Sequence, residues 1–159
     1  MQLSTLSRLT VAWMLTVIPV SSLSASCSTH PSSLGAMRNC YRPLLIFSAS
    51  KDDPKLEKQL NELRTHVADI SERNVLVVVM VADGSYPSSG QLANVPVATV
   101  DRDEARRIRS QFQIGNDDFV ALLVGKDGGE KSRQTAVFPV AKLNATIDAM
   151  PMRQAERMR

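Results

Sequence analysis

The sequence predicts an α/β fold in three layers: a central mixed sheet of about four strands with helices on both faces. Three observations predict it. Two wholly apolar runs, "LLIF" from Leu44 and "VLVVVMV" over Val75 to Val81, flank a segment with helical apolar spacing, which is the order of a parallel β-α-β unit. A third run, "DFVALLV", passes through "GKDGG" into the more polar "EKSRQTAVF", the order of a tight antiparallel hairpin. At 159 residues and 43% hydrophobic content the chain can bury one core of ordinary size, and one domain is expected.

Residues 1–26 stand apart. Arg8, an apolar run from Leu9 to Val20 and a small-residue stretch from Ser21 to Ser26 are the three parts of a secretory signal. The apolar core is about a dozen residues, short of the roughly 18 to 20 that span a bilayer. A signal peptide over 1–26 is the expectation, with Ser24 and Ser26 as the small recognition positions, and a retained membrane anchor is the alternative. Cutting there would make Cys27 the first residue, so "LSASC" also resembles a lipoprotein signal, imperfectly, because Leu23 sits one place too far from the cysteine. Cys27 could carry a lipid anchor, or pair with Cys40 in an oxidising compartment, closing a 14-residue loop for about 3 kcal/mol in the chain-entropy model.

Residues 27–40, "CSTHPSSLGAMRNC", are rich in Ser, Pro and Gly without sustained period and read as a flexible linker. The first strand follows from Pro43. Asp53 is placed to accept from early helix amides, and Pro54 suits a first helical position where its missing N–H costs nothing. The helix that starts there carries Leu56, Leu60, Leu63, Val67 and Ile70 at spacings of four, three, four and three, one buried stripe. Val75 to Val81 is a central strand covered on both faces. "GSYPSSGQLANVP" is a loop and "VATV" a short extended piece. Asp101 and Glu104 form a capping-box-like start for a helix with Ala105, Ile108 and Phe112 on its inner face and Gly115 at its end. After the hairpin, Val140, Leu143, Ile147 and Met150 mark a last helix near Pro151, and residues 154–159 form a charged tail. The order is β-α-β-α-β-β-α.

The formal charge is +3, from 19 Lys and Arg against 16 Asp and Glu. The two signs interleave, so no basic block tracks a phosphate backbone, and nucleic acid is not an expected partner. Arg102, Arg106, Arg107 and Arg109 make a basic helix face, usually a solvated one and less often a patch for an anionic partner.

The segment "VATVDRDEARRIRSQFQIGNDDFVALLVGKDGGEKSR" resembles the second half of thioredoxin, in which Val-Asp ends a strand, a helix ends in Phe-x-Ile/Val and a strand runs into Lys-Asp-Gly. With "RPLLIFSASKDDPKLEKQ" and "IDAMPMR" it is similar to a thioredoxin-like family called the peroxiredoxin-like domain of unknown function, found in bacterial exported proteins and at the carboxyl end of vertebrate sushi-repeat proteins. The resemblance covers about residues 41–153, and it implies a thioredoxin-like domain there. It also exposes two departures. Thioredoxins place Cys-x-x-Cys at the strand-to-helix junction, where helix-start amides lower a thiol pKa; here Ser50-Lys51-Asp52-Asp53-Pro54 stands instead. The proline that precedes the later strand is replaced by Asn116-Asp117-Asp118-Phe119.

Ser50, Lys51, Asp52 and Asp53 are the candidate binding residues, because ligands sit at the carboxyl ends of strands in open α/β sheets; helix capping with solvated charge is the competing reading. No histidine lies near Ser50 to act as its base. Cys40 is a candidate peroxidase-type nucleophile, but it precedes the first strand, at the sheet end opposite the activating amides. His30 and His66, with two cysteines, show no metal-ligand spacing, so no metal or cofactor is expected. "GKDGG" lacks the P-loop spacing, and Asp101-x-Asp103 lacks the turn glycine of a calcium loop. The expected function is an exported, periplasmic or secreted, thioredoxin-like domain without thiol redox chemistry. It would act as a non-enzymatic module for an unidentified protein or a small anionic ligand, touching a membrane only through a lipid at Cys27. The alternative is an atypical peroxiredoxin-like thiol oxidoreductase using Cys40.

Overall fold

The structure, a computed structural model, describes residues 26–82 and 89–158. The expected export signal lies outside the described residues except for Ser26, as do Asp83, Gly84 and the start of the long loop. Among the described residues four strands form one sheet: β1 (Arg42–Ser48), β2 (Val75–Val81), β3 (Val120–Val124) and β4 (Glu130–Gln134), in the order β2-β1-β3-β4. β1 pairs parallel with β2, from Arg42 opposite Val75 to Ser48 opposite Val81. It pairs antiparallel with β3, and β3 with β4. The first apolar run, β1, is thus central, whereas Val75–Val81, expected as a central strand, is an outer strand of the four, with a single bridge from Val77 to Val97 on its far side; it reads as wholly apolar because both of its faces are covered. The charged "EKSRQ" forms the opposite edge, β4, where charge discourages pairing with a second chain.

Alternation along the strands feeds two cores. Leu44, Ile46, Val77 and Leu123 face one side, under α2 (Pro54–Thr65), α3 (Val67–Glu72) and α5 (Val140–Asp148). Leu45, Phe47, Val78 and Leu122 face the other, under α1 (Leu34–Met37) and α4 (Arg102–Phe112). The layers are therefore helix, sheet, helix, as the pattern predicts. Leu56, Leu60, Leu63 and Ile70 of the expected stripe are all buried, each worth about 1.5–3 kcal/mol. The helix itself is broken at His66 (φ −127°) into α2 and α3. Asp53 caps α2, its side chain accepting from the Lys55 amide, with Pro54 at the first position. "VATV" continues the sheet by a single parallel bridge, Val97 opposite Val77. The "GKDGG" turn closes as expected, with the Gly125 amide donating to the Gly129 carbonyl and Gly128 at φ +82°.

Four further expectations differ from what is found. Within 27–40, read as a linker, Ser33 caps α1, and Leu34 and Met37 are buried in the second core. Two isolated apolar residues have no period to announce them, so only the sheet face they cover reveals their role. The tail is likewise structured: α6 (Pro151–Arg157) follows α5 after a break at Ala149 and Met150, and its Arg153 is buried. The α4 end uses Gln113, at φ 56°, rather than Gly115. Glu104 does not complete a capping box; Asp101 accepts from the Glu104 amide at 2.7 Å, while Glu104 Oε1 accepts from the Leu34 amide at 2.9 Å and so ties α4 to α1.

Candidate functional site

Ser50 to Asp53 follow β1 directly and precede α2, the place where this architecture presents chemistry. Their polar atoms are engaged locally. Asp53 Oδ1 accepts from the Lys55 amide at 2.8 Å, and Asp53 Oδ2 lies 2.9 Å from the Ser48 hydroxyl. That hydroxyl is also 3.0 Å from the Ser50 carbonyl. Lys51 Nζ meets Asp52 Oδ1 at 2.7 Å on exposed surface. The junction is organised as a capped turn around a buried serine, and its backbone amides face no thiol.

Both cysteine sulfurs lie elsewhere. Cys27 and Cys40 form a disulfide with a Cα separation of 5.6 Å, and no free cysteine remains. Cys40 stands just before Arg42, and the seven residues of β1 separate it from the α2 start, about 20 Å at the usual strand rise. The Tyr41 hydroxyl donates to the Ser28 carbonyl at 2.8 Å, holding the disulfide loop onto the domain.

Beneath the junction lies a group that sequence reasoning placed on the solvated basic face. Arg109 is only 8% exposed. It donates to the carbonyls of Met80 (2.9 Å), Ser48 (3.3 Å) and Gly115 (2.7 Å), and its guanidinium sits 5.2 Å from the Phe47 ring centre. It therefore ties the carboxyl ends of β1 and β2 to the α4–β3 loop. Burial lowers its pKa, opposed by the charge of Asp118. The available signal was its position four residues after Ala105, on the inner face of α4. Arg106 and Arg107 do stay on the surface, paired with Asp103 and Glu104.

At the opposite end of the sheet, buried and half-buried charges converge. Arg42 is 1% exposed; it donates to the Arg73 carbonyl at 2.9 Å and to both Glu156 carboxylate oxygens at 3.1 Å. Lys126 Nζ reaches Glu156 Oε1 at 2.8 Å and Asn74 Oδ1 at 3.1 Å. Burial would raise the Glu156 carboxyl, but the Lys126 hydrogen bond and the Arg42 charge outweigh it and hold it below the ordinary value. Arg73 grips Asp148 through two hydrogen bonds, which lower the Asp148 pKa and raise that of Arg73. Beside this network a cavity of about 450 Å³ opens between the β3–β4 turn and the α5–α6 junction. Among the described residues no group of three or more His, Cys, Asp or Glu side chains is placed to hold a metal ion, and no helix is long and apolar enough to cross a membrane.

Solved structures with this architecture include the reduced 2-Cys peroxiredoxin of Plasmodium vivax, with a TM-score of 0.57 and 14% identity over 78% of this chain and 84% of that one. Peroxidoxin BcpB of Mycobacterium tuberculosis matches with a TM-score of 0.55 and 14% identity over 74% and 84%. At such identity these likenesses concern the fold. In sequence, the chain is 33% identical over 125 residues to coiled-coil domain-containing protein 80 of Danio rerio, covering 72% of this chain and 14% of that protein's length. The model of the family described as Domain of unknown function (DUF4174) matches residues 33–156, which takes in α1 at one end and most of α6 at the other. The chain belongs to that family, and its fold is thioredoxin-like.

Proposed function

We propose that this domain is a non-enzymatic binding or interaction module that retains a thioredoxin-like scaffold without thiol redox chemistry, and that it works outside the cytoplasm. One observation carries the reading: the two cysteines are joined to each other at the sheet end remote from the α2 amides. A peroxidatic or disulfide-exchanging thiol needs a thiolate, and thiolates are stabilised at helix starts or beside cations. Neither sulfur stands at the Ser50–Pro54 junction. A disulfide of this kind suits an oxidising compartment, which together with the charged, apolar and small-residue order of residues 1–26 supports export.

The test is a turnover assay with hydrogen peroxide and a small disulfide, before and after mild reduction, on the mature protein and on Cys40→Ser. The module reading expects no turnover that depends on Cys40. Catalytic peroxide consumption by the reduced protein, lost in Cys40→Ser, would establish the peroxiredoxin-like alternative. An intact mass of the protein from its native envelope, with and without reduction, reports the cleavage point. A lipid-sized increment on Cys27 would replace the disulfide by a tether.

A further inference from the structure

The geometry points to the cavity between the β3–β4 turn and the α5–α6 junction as a binding site for a small amphiphile with one carboxylate and a short apolar tail. This rests on the binding-module reading and gives it a ligand class. The cavity measures about 450 Å³, inside the roughly 300–1,000 Å³ range of small-molecule pockets. Its walls divide by chemistry. Ala149, Met150, Pro151 and Met152 line one side, and Met152 is 47% exposed at its rim. Methionines adapt to irregular apolar shapes, which suits a flexible tail. Arg42, Lys126 and Lys131 line the other.

Charge at that end does not balance. Arg42, Lys126 and Arg153 share Glu156, Arg153 and Arg73 share Glu72 and Asp148, and Lys131 pairs with Asp127 at 2.6 Å, so five cations meet four carboxylates. Arg42 adds a second sign of incompletion: it is almost wholly buried, and its Nε has no hydrogen-bond partner. A buried guanidinium with an unmet donor is costly, and an anion held close by lowers that cost electrostatically. Direct contacts would fall to Lys126 and Lys131, with Arg42 acting through the cavity wall. A single carboxylate brings these nine charges to neutrality, while its tail lies along the methionine side. A dianion would overshoot that balance, and a neutral molecule would leave it unmet.

Octanoate is the probe, with octanol and octyltrimethylammonium as comparisons of the same tail, read by backbone amide chemical shifts of the full mature chain. Octanoate is expected to give saturable shifts centred on Gly125, Lys126, Ala149 and Met152. Octanol should bind more weakly, and the cationic amphiphile should leave those amides unmoved. Lys131→Gln is expected to weaken octanoate by up to about fivefold, the scale of one solvent-touching ion pair. Met152→Asp, at a rim position that the fold does not need, should abolish the shifts. Equal binding of octanoate and octanol, no saturable shift, or shifts centred on Ser50 to Pro54 would overturn the assignment. None of those outcomes bears on Cys40-dependent turnover, which tests the module reading separately.

Discussion

Replacing both cysteines, Cys27→Ser with Cys40→Ser, separates a structural disulfide from a catalytic one. The bond closes a loop of 13 residues' sequence separation, and in the chain-entropy model a loop of that size contributes about 3 kcal/mol. The contribution should be realised here, because the loop is not loose on the domain. Pro31 and Leu34 are buried, Met37 is 0% exposed, and Tyr41 holds the Ser28 carbonyl. For a domain of this size a loss of about 3 kcal/mol lowers Tm by about 10 °C. Scanning calorimetry and urea unfolding of the two proteins measure it, with the wild type reduced in place as a control that should match the double variant. The same samples go through the peroxide assay, where no difference is expected. A Tm change under about 2 °C would refute the structural role, and lost turnover would show the sulfurs to be chemical.

Three further outcomes follow from named contacts. Gln59 is wholly buried, donates to the Phe138 carbonyl and accepts from the Phe138 amide, so Gln59→Leu orphans two backbone groups and should cost at least about 2 kcal/mol in urea unfolding; a loss below half of that would mean water replaces the amide. Asp53→Ala removes the α2 cap and should cost about 1 kcal/mol; unchanged stability together with lost ligand or partner binding would make Asp53 a site residue after all. Asp148 and Glu156 have depressed pKa values in the fold, so their stabilisation is present above the unfolded carboxylate value near about 4 and is lost as pH falls through the lower folded values. Tm should therefore drop steeply below about pH 4, and Asp148→Asn should lower Tm at neutral pH while flattening that acid limb. An acid limb unchanged in Asp148→Asn would contradict the pairing with Arg73.

Local pattern explains why much of the frame was legible. The runs at Leu44 and Val75 are apolar on both faces because both faces are covered, and Asp53-Pro54 announces α2 through bonds that span two residues. The hairpin turn is equally local. Leu34 and Met37 were invisible for the opposite reason: a four-residue helix carries no full period. Arg109 looked solvated because charge argues for water, until three carbonyls from separate elements surround it.

The sequence by itself determined the order of the four strands and of the helices that start near Pro54, Arg102 and Val140, and the missing thiol at the Ser50–Pro54 junction, since each depends on residues close along the chain. Only the tertiary structure decided the rest. Glu156 meets Arg42 across 114 positions, Arg153 meets Glu72 across 81, and Glu104 receives Leu34 across 70. No spacing rule connects residues so far apart; they become neighbours because the sheet brings the start of β1, the β3–β4 turn and the last helix to one end, and the charged cavity exists only there.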